Sequence, residues 1–147
     1  MAELLLLEGP AGADKSAVAS ALIASGAYDA VSDLSRFWSA LAGVERDSEG
    51  RLPVRTPGDQ KIALASYLRA AAVRRSLAAG LRVIVTTASP GEVTRWQGVA
   101  GEMGAGFNVR TEDPGRAVAA QRLAAKFGGT PENLTPQCEV ALNRWYR

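Results

Sequence analysis

The sequence predicts an α/β fold in three layers, a central parallel sheet with helices on both faces. Three observations predict it. A continuous apolar run, Leu4 to Leu7, ends at once in Glu8-Gly9-Pro10, which suits a strand buried on both faces and followed by a turn. A second run, Leu-Arg-Val-Ile-Val-Thr-Thr over residues 81–87, is rich in β-branched residues. Alanine-rich helical stretches lie between and beyond these runs, and such alternation places parallel strands under right-handed crossovers. The chain has 147 residues, 47% hydrophobic and 22% charged. That is the composition and size of one globular domain with its own core, so residues 1–147 are expected to form a single domain.

The elements follow in order. Leu4–Leu7 is the first strand. Ser16 to Ala24 reads as a helix, with Gly26 at its C-terminal end. Tyr28 to Val31 forms a short second strand that stops at Ser32-Asp33, and Leu34 to Leu41 a short helix carrying Phe37 and Trp38. Residues 42–58 hold Gly43, Gly50, Pro53, Pro57 and Gly58, the composition of an irregular, mobile loop. Asp59 to Ala79 is a long helix closed by Gly80. Its apolar residues fall in two stripes, Leu64, Leu68, Ala71 and Ala72, then Ile62, Ala70, Val73 and Leu77. After the 81–87 strand, Ser89-Pro90-Gly91-Glu92 has the form of a capping box with proline at the first helical position. That helix ends near Gly101 or Gly104. Phe107 to Thr111 is a third core strand. Arg116 to Phe127 is a helix ended by Gly128-Gly129, and Thr135-Pro136 opens a last helix bearing Val140, Leu142, Trp145 and Tyr146.

Composition also excludes. A formal net charge of +2 does not by itself call for nucleic acid. There is no histidine, and Cys138 is the only cysteine, so zinc sites, internal disulfides and histidine-based triads fall away. Cys138 is expected to be a small buried hydrophobe. The N-terminal apolar run is too short for a signal peptide, and no stretch approaches the roughly 18 apolar residues of a membrane span. The expectation is a soluble, cytoplasmic protein without membrane contact.

The chemistry concentrates between the first strand and the first helix. Gly9-Pro10-Ala11-Gly12-Ala13-Asp14-Lys15-Ser16 follows the phosphate-loop pattern G-x-x-x-x-G-K-[ST] in its proper context. Main-chain N–H groups curl around an anion, and the helix N-terminus adds partial positive charge. Lys15 reaches the β- and γ-phosphates, and the Ser16 hydroxyl binds Mg2+. The departure is Asp14, where the pattern has glycine. Its carboxylate opposes a triphosphate if it faces inward, silences Lys15 if it pairs with it, and does neither if it points outward.

The ordered motifs resemble the small P-loop kinases of the polynucleotide kinase type, phage-encoded members included. Asp33-Leu-Ser-Arg36 stands where these kinases carry an acidic residue after the second strand and an arginine three positions on. Val83-Ile-Val-Thr86-Thr87 is similar to their third strand, which ends in small polar residues. Asp113-Pro-Gly-Arg116, followed by Arg122 and Lys126, looks like their turn and basic lid helix, making 110–127 lid-like. Trp145-Tyr146 is similar to the aromatic end of their terminal helix. The resemblance implies a P-loop NTPase fold with ATP and Mg2+ as cofactors. It implies Asp33 as the base on an acceptor hydroxyl, Arg36 on acceptor phosphate, and Arg122 with Arg116 and Lys126 over the transferring phosphates. It departs at Asp14 and in lacking an acidic residue at the end of the third strand. Small phage P-loop proteins encoded among head and packaging genes are similar too, and imply viral assembly partners.

Bland roles stand beside these. Asp33 also suits a helix N-cap. Thr86 and Thr87 suit either a metal-bound water or strand packing. The tryptophans suit the core, and Trp38 alternatively suits base stacking. The expectation is an ATP-binding phosphotransferase acting on a nucleotide or nucleic-acid hydroxyl, with Lys15, Asp33 and Arg122 catalytic. The rivals are a nucleotide-binding or ATP-hydrolysing accessory protein of phage head assembly, and a degenerate phosphate-loop protein acting only as an interaction module.

Overall fold

A computed structural model describes residues 1–43 and 60–147. The expected irregular loop at 42–58 lies almost wholly outside the described residues. The elements run β1 (Glu3–Glu8), α1 (Lys15–Ala24), β2 (Ala30–Ser32), α2 (Leu34–Ala42), α3 (Gln60–Ala78), β3 (Arg82–Thr87), α4 (Val93–Glu102), β4 (Gly106–Thr111), α5 (Arg116–Phe127), β5 (Gly129–Thr130), β6 (Asn133–Leu134) and α6 (Pro136–Trp145). Four parallel strands form the main sheet in the order β2-β3-β1-β4. The α/β sheet predicted from the apolar runs is therefore present, with β1 inside it.

Alternation along the strands builds the layers, because successive side chains face opposite ways. Leu4 and Leu6 of β1 and Val83 and Val85 of β3 join Val73, Leu77, Trp96 and Val99 from α3 and α4. Leu5, Leu7 and Ile84 face the other way, onto Ala19, Val18, Leu22 and Ile23 of α1. A third cluster ties α5 to α6 through Ala119, Leu123, Cys138 and Leu142. Leu4, Leu6 and Leu7 are all 0% exposed, each contributing about 1.5–3 kcal/mol by leaving water. That burial sets where β1 ends and so where its loop begins.

Several local expectations need correction. Ser89-Pro90-Gly91-Glu92 does not cap a helix. Thr87 Oγ1 instead accepts from the Ser89 amide at 3.2 Å, Gly91 takes φ +86°, and α4 starts only at Val93, without a side-chain cap from Glu92. The Glu92 carboxylate accepts instead from Trp96 Nε1 at 3.3 Å. The short second strand lies later than expected. Tyr28 precedes it and sends its hydroxyl to Glu3 Oε1, while Ser32 is in the strand. On α3 the fully buried line is Ala65, Arg69, Val73 and Leu77, whereas Leu64 is 48% exposed. Residues 110 and 111, placed at the start of the lid-like segment, close β4 against Leu7 and Glu8. The β5–β6 hairpin has no counterpart in the sequence reading. Trp38 and Trp96 are buried, as is Cys138.

Candidate functional site

β1 and α1 point at the same spot from opposite sides, and residues 9–14 bridge them. The loop is packed from outside by later parts of the chain. A Cβ on Gly9 would lie 2.1 Å from the Glu112 carbonyl oxygen, and one on Gly12, where φ is +84°, would lie 2.5 Å from that of Ala119. Both glycines are thus demanded by close backbone approach. Inside the loop, the Ala13 amide donates to Pro10 O at 3.1 Å and the Gly9 amide to Thr87 O at 3.2 Å. Among the described residues, the amides of Ala11, Gly12 and Asp14 have no protein acceptor. Unpaired N–H groups at the head of a ten-residue helix are the makings of an anion nest.

Lys15 reaches back across this nest. Its Nζ donates to Gly9 O at 2.7 Å and Pro10 O at 2.9 Å. An ammonium has three N–H donors, so one is left for a ligand oxygen. Burial pushes the Lys15 ammonium down to about 8, against the pull of Asp33. Asp14 is the one non-glycine with positive φ among the described residues, at φ 64° and ψ 36°. It adopts the left-handed conformation for which the pattern's glycine is suited. It stands at the N-cap of α1 without a side-chain capping bond, and it is exposed. It shows no bond to Lys15.

Two clefts open on either side of α1. The first, about 290 Å³, is lined by Ser16, Ser20, Ile23, Asp33, Arg36 and Thr86, among others. Asp33 sits at the end of β2 and is the N-cap of α2, with Oδ1 accepting the Ser35 amide at 2.8 Å. A cap uses one oxygen, and among the described residues Oδ2 has no protein donor. Both roles considered for Asp33 are therefore geometrically compatible. Arg36, one turn on, is exposed on the same cleft. Thr86 is buried, with Oγ1 3.5 Å from Ser32 O, and Thr87 is committed to Ser89.

The second cleft, about 270 Å³, is lined by Ala13, Asp14, Ala17, Glu112, Asp113 and Arg122, among others. Arg122 donates from Nη1 to Gly12 O at 3.3 Å, so α5 already touches the phosphate loop. Lys126 lies one turn further along α5, exposed. Arg116 faces elsewhere, with Nη2 donating to Asn143 Oδ1 at 2.7 Å and Nη1 to the Tyr146 carbonyl at 3.2 Å. The structure brings Ser16, Asp33 and Arg36 to one cleft and Asp14 and Arg122 to the other, keeps Lys15 on the loop carbonyls within the field of Asp33, and leaves Arg116 on α6.

Sequence reasoning missed Arg69. It is 5% exposed, donates from Nη2 to the Thr86 carbonyl, and lies 5.1 Å over the Trp96 ring. A buried cation therefore backs the strand end that lines the first cleft. Its only sequence signal was its i+4 spacing from Ala65 and Val73. Among the described residues no group of three or more His, Cys, Asp or Glu side chains could hold a metal ion, and no helix is long and apolar enough to cross a membrane.

Neither a protein-family model nor a curated protein matches the chain. Solved structures do. A chain in the structure of the Pnkp1/Rnl/Hen1 RNA repair complex is similar with a TM-score of 0.71 at 16% identity, over 98% of this chain and 44% of that one. This chain thus spans less than half of that neighbour's length. A gluconokinase from Sinorhizobium meliloti 1021 is similar with a TM-score of 0.56 at 15% identity, over 97% of this chain and 74% of that one. At such identities the likeness is one of fold. With this sheet and these neighbours, the chain has the α/β fold of the P-loop kinases.

Proposed function

We propose that the chain is a phosphotransferase that takes a phosphoryl group from ATP–Mg2+ and gives it to a hydroxyl on a nucleotide or nucleic-acid end. One observation carries the reading: one cleft reaches Ser16 and the other Ala13 and Asp14, so the two flank the N-terminus of α1, next to Lys15 and the free amides. A donor and an acceptor must approach one phosphoryl group from opposite sides. The fold shared with the RNA repair chain and the gluconokinase supports it.

The residues divide the work. The amides of Ala11, Gly12 and Asp14 and the third Lys15 donor would hold the β- and γ-phosphates, a fit supported by their lack of protein partners. The charge neutralisation that Mg2+ supplies when bound would act through Ser16 Oγ, in the first turn of α1 and open to the first cleft. Asp33, steadied by its cap bond, would orient the acceptor hydroxyl and take its proton as the new O–P bond forms and ADP leaves. Arg36 would hold acceptor phosphate, and Arg122 would sit over the donor. Lys126 joins that face, and Arg116 joins it only by leaving α6. Positioning and charge carry most of such a reaction.

The test is calorimetry with Mg-ATP, followed by γ-labelled ATP with nucleoside or 5′-hydroxyl DNA acceptors. Lys15→Ala is expected to abolish both binding and transfer, and transfer that survives it would exclude this site. A second reading, nucleotide binding without an acceptor, keeps the loop and Lys15 and leaves Asp33 only its cap. Label released as inorganic phosphate but never passed to an acceptor decides for it.

A further inference from the structure

We propose that Tyr146 is a positioning residue for the nucleotide cleft, holding the Asp113 carboxylate toward the C-terminal helix and out of the path of the donor's phosphates. The inference rests on the donor-site reading above and concerns residues far in sequence from the phosphate-loop motif.

Asp113 belongs to the 112–115 turn that walls the second cleft with Asp14 and Arg122. A free carboxylate there would oppose an incoming polyphosphate. It is not free. Oδ1 accepts the Tyr146 hydroxyl and, at 2.9 Å, the Gly115 amide. Oδ2 faces the Trp145 indole N–H at 3.4 Å. Hydrogen bonds from Tyr146 first, then Gly115 and Trp145, hold the Asp113 carboxyl below the usual carboxylate range. Burial, then the Asp113 bond, pushes the Tyr146 phenol up to about 12, so it remains a donor throughout the working pH range. Arg116 secures the other side of the latch through Asn143, the Tyr146 carbonyl and the Tyr146 ring, 5.8 Å from its guanidinium carbon.

The latch bears on the phosphate loop directly. The Glu112 amide donates to Glu8 O at 2.8 Å, and the Glu112 carbonyl is the group that leaves no room for a Cβ on Gly9. Released by Tyr146, the Asp113 carboxylate, already on the wall of this cleft, would be free to swing toward the loop that holds the phosphates.

The experiment is calorimetry with Mg-ATP on the full chain as wild type, Tyr146→Phe, Asp113→Asn and the double variant. Tyr146→Phe keeps the ring and its place beside Arg116. It is expected to weaken ATP binding by roughly 3- to 10-fold, the scale of the net contribution of one ordinary hydrogen bond, since this pair is exposed. The double variant is expected to recover to within about twofold of Asp113→Asn, since the charge that the tyrosine restrains is gone. A merely structural latch moves the other way, with the double as weak as Tyr146→Phe or weaker, and that result overturns the proposal. So does Tyr146→Phe binding like the wild type, which leaves the donor-site reading standing. A wild type that binds no Mg-ATP sinks the donor-site reading and this inference with it.

Discussion

Replacing Asp14 by glycine probes the loop where it departs from its pattern. The structure sets the size of the effect. Asp14 is exposed on the second cleft, so its field passes largely through water. At a dielectric near 80 and a separation of about 6 Å, each opposed unit charge costs roughly 0.7 kcal/mol. A Mg-bound triphosphate has a net charge of about −2, so the total is about 1.4 kcal/mol, or tenfold in affinity. Salt trims this by screening. Stability is expected to change little. Relief of the left-handed backbone returns about 1 kcal/mol, whereas glycine's freedom in the unfolded chain takes back about 0.4–1 kcal/mol. No capping bond is lost, because Asp14 makes none. Calorimetry with Mg-ATP should show Asp14→Gly binding five- to tenfold tighter, with a urea midpoint near that of the wild type. Unchanged affinity would refute the electrostatic argument, and a large loss of stability would show that Asp14 holds the loop in a way the geometry does not reveal.

Gly9→Ala forces a Cβ to within 2.1 Å of a backbone oxygen and should cost about 2–3 kcal/mol in urea unfolding. Gly98→Ala meets open space in the middle of α4 and should stabilise by about 0.5–1 kcal/mol; equal effects at the two sites would contradict the packing described for the loop. Lys15 is held down to about 8 against an ordinary value of 10.5. Between those values the unfolded chain binds more protons, so wild-type stability should rise with pH across that window. Lys15→Met should lack that rise, and parallel pH profiles for the two proteins would show that the ammonium is not desolvated.

Most of the architecture was legible because it is written locally. Leu4–Leu7 and the 82–87 strand are contiguous apolar runs stopped by turn residues, and the loop between β1 and α1 is a contiguous motif. The left-handed backbone at position 14 was not read from the sequence, although it stands where the pattern places glycine. What escaped depends on partners distant in sequence. Ser89 and Glu92 have capping-box spacing, but Thr87 captures the Ser89 amide and Gly91 turns the chain before a helix can begin. Arg69 reads as a surface residue until Trp96 and the Thr86 carbonyl are brought beside it. Arg116 and Arg122 share a helix, yet α6 claims one while the other reaches Gly12. Nothing in their spacing decides which.

The packing of Gly9 on Glu112 and of Gly12 on Ala119 has a consequence for how the molecule is made. The eight residues of the motif leave the ribosome about a hundred residues before the surfaces that shape them. Closing so long a stretch of chain carries an entropic cost that short-range contacts avoid. The loop therefore takes its final form only after β4 and α5 have docked. On the proposed function, nucleotide added during refolding would stabilise only molecules in which those surfaces have docked.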